Sequence, residues 1–325
     1  MSPAAPSTQL GGTPQRTGLD ALADRHLDWL AIANLVANIG IVVTGAVVRL
    51  TGSGLGCPTW PRCTDESYVT HPSMGIHGAI EFGNRMLTFV LAAIALLTFL
   101  AAWRAASRGA AWLAFGIGLG VPAQAVIGGI TVLTDLNPWI VAFHLLCSLA
   151  MIGLCVVLLD HVKHPEVWGP AARATAPSSP ALVRRLALAT LAVGWVVLYL
   201  GTIVTGSGPH AGDENSPRTG LDPARFSHIH AWAVYALVAL TVVVLLVARR
   251  QRDAALVHAA GTLLAVELAQ GVVGYVQYFT DLPIALVALH LLGAAVTSAV
   301  LTWVVVRAFR PLTVVAEQDV RVERV

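Results

Sequence analysis

Eight stretches of about 20 residues, each continuously apolar and almost free of charge, limit this chain more than any other feature: about 29–50, 82–103, 111–133, 139–160, 183–205, 230–248, 255–278 and 284–307. A helix needs around 20 apolar residues to cross a hydrocarbon core of about 30 Å. The runs are continuous, not alternating, which predicts helices over the strands of a barrel. The fold class is therefore an all-α polytopic membrane protein with eight transmembrane helices. Composition agrees: 56% of the 325 residues are apolar and 12% are charged, against about 25% charged in a soluble domain. Eight spans use nearly all of that apolar supply, so little remains for a separate soluble domain. Four cysteines are too few for a disulfide scaffold. A net charge of +2, with basic residues scattered in ones, twos and threes, gives no surface for nucleic acid.

Orientation follows from Lys and Arg. With the N-terminus in the cytoplasm, that side receives 15 of the 20 basic residues, and Arg49, Arg62, Arg85, Arg218 and Arg225 fall outside. The positive-inside rule thus predicts a multi-pass protein of the plasma membrane with both termini cytoplasmic. Residues 1–28, rich in Pro, Gly, Ser and Thr, read as a disordered cytoplasmic tail. They do not read as a cleavable signal, because the first apolar run is long and starts late. Residues 308–325 form a second cytoplasmic tail. Two outer loops, about 51–80 and 206–229, are polar and irregular.

The chain also repeats. A shift of 146 positions aligns Ala123–Leu146 with Ala269–Leu292 at 12 identities in 24, including Gly128 with Gly274, Thr134-Asp135-Leu136 with Thr280-Asp281-Leu282 and His144 with His290. Thr51-Gly52-Ser53-Gly54 recurs as Thr205-Gly206-Ser207-Gly208 at a shift of 154. We read two copies of a four-helix unit, 29–160 and 183–307, joined by a cytoplasmic linker at 161–182. Units with an even number of spans point the same way, giving parallel four-helix bundles.

His144, His230 and His290 lie in the first two turns of spans four, six and eight. Each of these spans starts at the outer face, so all three lie within roughly 10 Å of it at 1.5 Å per residue. The interval from His230 to His290 equals the interval from Asn84 to His144, which makes Asn84 the repeat mate of His230. The second half can therefore offer two imidazoles at one depth, which suits axial ligation of a haem iron between facing helices. A histidine bonded to a neighbouring carbonyl is the alternative for each alone. Zinc fits less well, because no third ligand lies beside the pair at ligand spacing.

In the first half His77, Glu81, Asn84, Arg85 and Thr88 share one face at the start of span two. Glu81 either forms an i,i+4 pair with Arg85 or handles protons at the rim of a cavity. Cys57 and Cys63 flank Pro-Thr-Trp-Pro-Arg in an outer loop, where disulfides persist, and two prolines encourage the turn that a small closed loop needs. Cys147 and Cys155 read as buried fillers. His71, His210 and His228 read as solvated or locally bonded.

Gly45-Ala-Val-Val-Arg-Leu-Thr-Gly-Ser-Gly54, Cys57-Pro-Thr-Trp-Pro-Arg-Cys63 and Ile80-Glu-Phe-Gly-Asn-Arg85, together with the later single histidines, resemble the haem A synthases of the CtaA/Cox15 family. The resemblance spans essentially all eight runs. It implies oxidation of the C8 methyl of haem O to the formyl of haem A, for cytochrome oxidase assembly. It implies haem b held axially by His230 and His290, and a haem O substrate site at His144. It implies a catalytic Glu81, a Cys57–Cys63 disulfide, and a membrane electron donor and haem O synthase as partners. Two positions depart from the family pattern. Asn84 replaces its first N-terminal histidine, so the substrate haem pocket would hold iron through His144 alone; Ala231 follows His230 where the family has Arg. A cytochrome b-type electron carrier using only His230 and His290, or a transporter built on the repeat, are the rivals. Neither needs Glu81 or the outer cysteines.

Overall fold

Polar caps open several of the long helices. In this computed structural model, which describes residues 18–105, 107–168 and 179–310, Asn137 Oδ1 accepts from the Trp139 N–H at 3.1 Å, with Pro138 next in the chain. Asp222 repeats the device ahead of Pro223, accepting from Ala224 at 3.0 Å, and Asp253 accepts from Leu256 at 2.9 Å. These caps satisfy N–H groups that a helix start leaves free, and proline removes one such group outright.

The eight long helices are α1 (Gly18–Leu50), α2 (Gly75–Arg104), α3 (Arg108–Leu133), α4 (Pro138–Lys163), α5 (Ala181–Ser207), α6 (Pro223–Arg250), α7 (Ala254–Phe279) and α8 (Ile284–Ala308). All eight are long and apolar enough to cross a membrane. A 3₁₀ turn, Pro72–Met74, precedes α2, and one helical turn, Pro165–Trp168, follows α4. No strand occurs among the described residues. The chain is an all-helical, multi-pass membrane protein.

One boundary is corrected. The disordered tail expected over 1–28 is helical from Gly18. Ala23, Leu27 and Ala31 are buried at four-residue spacing and continue the packed stripe of α1 one turn after another. Polar residues between them dilute the apolar signal that marks a span. Residues 1–17 of that tail, 169–178 of the expected linker and 311–325 of the second tail lie outside the described residues.

Helices α1 to α4 pack in sequence and α4 closes back on α1; α5 to α8 do the same, with α8 on α5. Each ring encloses its own buried cluster, around Ile117, Leu158 and Ala114 in one and Leu256, Leu263 and Val304 in the other. A third cluster of Val42, Leu149, Ile152, Leu198 and Ala295 fills the seam between the rings. There the buried Ser298 Oγ donates to the Leu149 carbonyl at 2.7 Å.

The recurring Thr-Asp-Leu segments adopt one conformation. Asp135 and Leu136 have φ of 52° and 60°, and Asp281 and Leu282 have 58° and 56°. Left-handed backbone costs a residue with a side chain roughly 1–2 kcal/mol. Matching bonds hold both turns: Leu136 N–H to Thr131 at 2.8 Å and Leu282 N–H to Gln277 at 2.9 Å. Thr134 and Thr280 each return a hydroxyl bond at 2.7 Å to the preceding helical turn. The buried Leu136 side chain packs onto Gly54 and Gly212, where the two long loops join through Gly54 N–H to the Gly212 carbonyl at 2.8 Å. Arg49, at the end of α1, adds bonds to the carbonyls of His210 at 2.7 Å and Thr205 at 3.0 Å. Both loops therefore sit together on one face of the bundle, here the loop face.

Candidate functional site

The loop between α1 and α2 is closed by a Cys57–Cys63 disulfide, with Cα atoms 4.4 Å apart and both residues fully buried. Glu81, in the second turn of α2, is 5% exposed and has both oxygens engaged. Oε2 accepts from the Cys57 N–H at 2.5 Å, and Oε1 accepts from Arg85 Nη2 at 2.5 Å and Nε at 3.2 Å. Arg85 in turn donates to the carbonyls of Cys57 at 2.9 Å, Thr59 at 3.0 Å and Arg62 at 3.1 Å. The expected i,i+4 pair is thus present and is also the anchor of the disulfide loop. Charge-assisted bonds of this kind are stronger than neutral ones.

The loop reaches further than its cysteines suggest. The indole of Trp60 lies against Gly129 of α3 where a side chain would otherwise begin. The neighbouring Gly128 faces His144, whose Cε1 would lie 3.4 Å from a β-carbon there. Adjacent glycines of α3 therefore bring the disulfide loop and His144 to the same stretch of helix. Trp60 carried no sequence signal beyond its place between two cysteines.

His230 on α6 and His290 on α8 meet across the second ring, whose α6 and α8 are diagonal partners. Their ring centres are 6.5 Å apart and their planes cross at 77°. Two imidazoles bound to one metal ion at about 2 Å each place their ring centres on the order of 6 Å apart. His230 Nδ1 lies 3.1 Å from the Val197 carbonyl, which fixes Nδ1 as the protonated nitrogen and leaves Nε2 free to ligate. Glycines lie against the rings: a β-carbon on Gly201 would meet His230 at 3.4 Å, and one on Gly274 would meet His290 at 3.5 Å. Gly274 is the repeat mate of Gly128, so His144 and His290 sit in equivalent notches. Nδ1 of both is buried with no hydrogen-bond partner among the described residues. Such orphaned nitrogens are costly unless a bound group or water reaches them.

Asn84 is placed differently. Its Oδ1 accepts from Thr44 Oγ1 of α1 at 2.7 Å, and α2 and α4, which carry Asn84 and His144, are diagonal in the first ring. No bond joins Asn84 to His144. His77 is bonded to Ser53 Oγ at 2.9 Å and lines a loop-face cavity of about 530 Å³ with Leu55, Asp213 and Glu214. His210 is bonded to the Leu282 carbonyl at 3.0 Å, and the His228 ring packs 6.3 Å from that of Tyr278. Among the described residues no cluster of three or more His, Cys, Asp or Glu forms a metal site, so iron held by two histidines in a porphyrin suits the pair better than a bare ion.

Sequence reasoning passed over Glu267 of α7, a lone carboxylate in an apolar run, which is 4% exposed. It also passed over Asp160 of α4, which pairs with Arg310 and accepts from Trp168 Nε1 at 3.0 Å. The first was visible as a charge inside a span; the second needs the two rings to be brought together.

Comparison with known proteins supplies the remaining ground. Residues 28–213 match the family described as COX15-CtaA, cytochrome oxidase assembly protein. A heme A synthase of Bradyrhizobium sp. is 30% identical, over 87% of this chain and 90% of its own. A heme A synthase of Rhizorhabdus wittichii is 26% identical over 85% and 92%, and one of Geobacillus kaustophilus 25% identical over 88% and 92%. On this match and on eight apolar helices, the chain belongs to the COX15-CtaA family of cytochrome oxidase assembly proteins.

Proposed function

We propose that this protein is a haem A synthase that oxidises the C8 methyl group of haem O to the formyl group of haem A. The observation that carries the reading is the His230–His290 pair, set 6.5 Å apart across a helical ring, in a chain of this family. Haem b would be held there by His230 and His290, and when bound it supplies one-electron redox chemistry. The haem O substrate site is proposed at His144, in the other ring.

The residues divide the work by position. The bond from His230 Nδ1 to Val197 orients one imidazole, and Gly201 and Gly274 let the His230 and His290 rings lie close against α5 and α7. His144 offers one imidazole, and Asn84, engaged by Thr44, leaves the opposite side without a strong ligand. A substrate that must enter and leave is suited by that asymmetry. Glu81 is proposed to stabilise positive charge or accept a proton at the carbon being oxidised. The disulfide loop that Glu81 anchors would cover the His144 end and limit water there. The two rings are read as parallel copies, 29–160 and 183–307, with the tails cytoplasmic in the plasma membrane. Haem O synthase as supplier and a membrane electron donor complete the proposed partners.

The test is a chromatogram of haems extracted from membranes that contain haem O, with and without the protein. Haem A should appear only with it. Haem b bound at His230 and His290 without haem A formation would instead favour an electron carrier, and colourless purified protein would favour a transporter.

A further inference from the structure

Glu267 is the one acidic residue of α7 and stands midway between its ends, Ala254 and Phe279. It is 4% exposed. Thr241 Oγ1 of α6 donates to its Oε1 at 2.8 Å, and Oε2 is buried with no partner among the described residues. A carboxylate at this depth with no cation is expensive, and such residues face the interior for a reason.

Its position relates it to the histidine pair. Two helical turns separate Glu267 from Gly274, the notch for His290, so both lie on one face of α7 about 10 Å apart. One turn along that face, Gly271 has no atom within 4 Å of where its side chain would begin. The helices packed on α7 are α6 and α8. On α6, where Thr241 marks the depth of Glu267, Tyr235 stands about 9 Å and His230 about 16 Å along the helix towards one end, and Arg249 and Arg250 about 12–14 Å towards the other. Helix α8 carries His290 at the first end and Arg307 at the second. On α7 itself there are His258 and Tyr275. None forms a hydrogen bond or ion pair with Glu267.

We propose that Glu267 is a proton-binding site coupled to the electron on the haem at His230 and His290. This rests on that haem reading. Glu267 takes one proton from the aqueous phase, forming a carboxylic acid, as one electron from a one-electron donor converts ferric to ferrous iron; it releases the proton on reoxidation. Added negative charge at about 10–16 Å changes proton affinity about five- to fifteen-fold at an effective dielectric constant of about 20.

The experiment is redox-difference infrared spectroscopy with potentiometry on purified, haem-loaded full-length protein, reduced with dithionite. Wild type should show a carboxylic-acid carbonyl band on reduction and a midpoint potential that falls with pH over about one unit. Glu267→Gln should lose the band and that part of the pH dependence while keeping the haem spectrum. Thr241→Val should move the band to higher frequency, and it decides the matter should Glu267→Gln not accumulate. No band in wild type, or an unchanged band in either variant, overturns the inference with the haem reading intact. A low-spin haem that survives His230→Ala overturns the haem reading first, and this inference with it.

Discussion

The backbone N–H of Cys57 donates to Oε2 of Glu81 at 2.5 Å, so one side chain of α2 holds the disulfide loop by its first cysteine. Arg85, paired to the other oxygen of Glu81, binds three carbonyls of the same loop. Any catalytic role of Glu81 is therefore superimposed on a structural one.

Glu81→Gln removes charge from two buried hydrogen-bonding arrangements. The cost should be about 1.5–3 kcal/mol, above the tenths expected of an exposed helical pair. Haem b should be retained, melting should fall by several degrees, and haem A formation should fall further than in Arg85→Lys, which loosens the loop but keeps the carboxylate. Equal losses of activity in the two variants would assign Glu81 to the loop alone.

The Cys57–Cys63 bond closes a very short loop, so its entropic contribution should be about 2 kcal/mol. Alkylation without reductant followed by mass spectrometry should find neither thiol labelled. Replacing both with Ser should lower thermal stability and free Trp60 from Gly129, read as a red shift of tryptophan fluorescence.

The two rings should hold haem differently. His230→Ala or His290→Ala should each abolish the low-spin electron paramagnetic resonance signal of oxidised protein, because each removes one of two strong-field nitrogens. His144→Ala should leave that signal and reduce only bound haem O and haem A. Survival of the signal without His230 would move the ligand to another residue, with His228 first in line.

Asn84→His restores an imidazole opposite His144. A second low-spin signal and slower release of haem O should follow. Two low-spin haems in the unaltered protein would show that the substrate site already has a second ligand.

Packing within the second ring is tested at Gly194 of α5, where a β-carbon would strike the side chain of Leu301 of α8. Gly194→Val should destabilise by about 1–3 kcal/mol through overpacking, measured as a lower melting temperature in detergent. Gly116→Ala, where a β-carbon meets nothing within 4 Å, should not lower melting and should raise it slightly, because Ala in a helix interior is better than Gly by about 0.5–1 kcal/mol.

The number and type of the spans were legible because lipid leaves few options: a run of about 20 apolar residues with no water nearby must satisfy its own backbone bonds. The same one-dimensional record carried the recurring Thr-Asp-Leu segment, whose two copies share one left-handed turn. It placed Glu81 and Arg85 together, since residues four apart share a helix face. It did not carry the start of α1, because Ala23 and Leu27 announce themselves only through what they pack against. Nor did it carry the bond from Glu81 back to Cys57 in the preceding loop, the seat of Trp60 on Gly129, or the separation of His230 from His290. Those depend on how helices distant in the chain cross and on the path of an irregular loop. Periodicity fixes which side of a helix a residue occupies; only packing decides what stands opposite it.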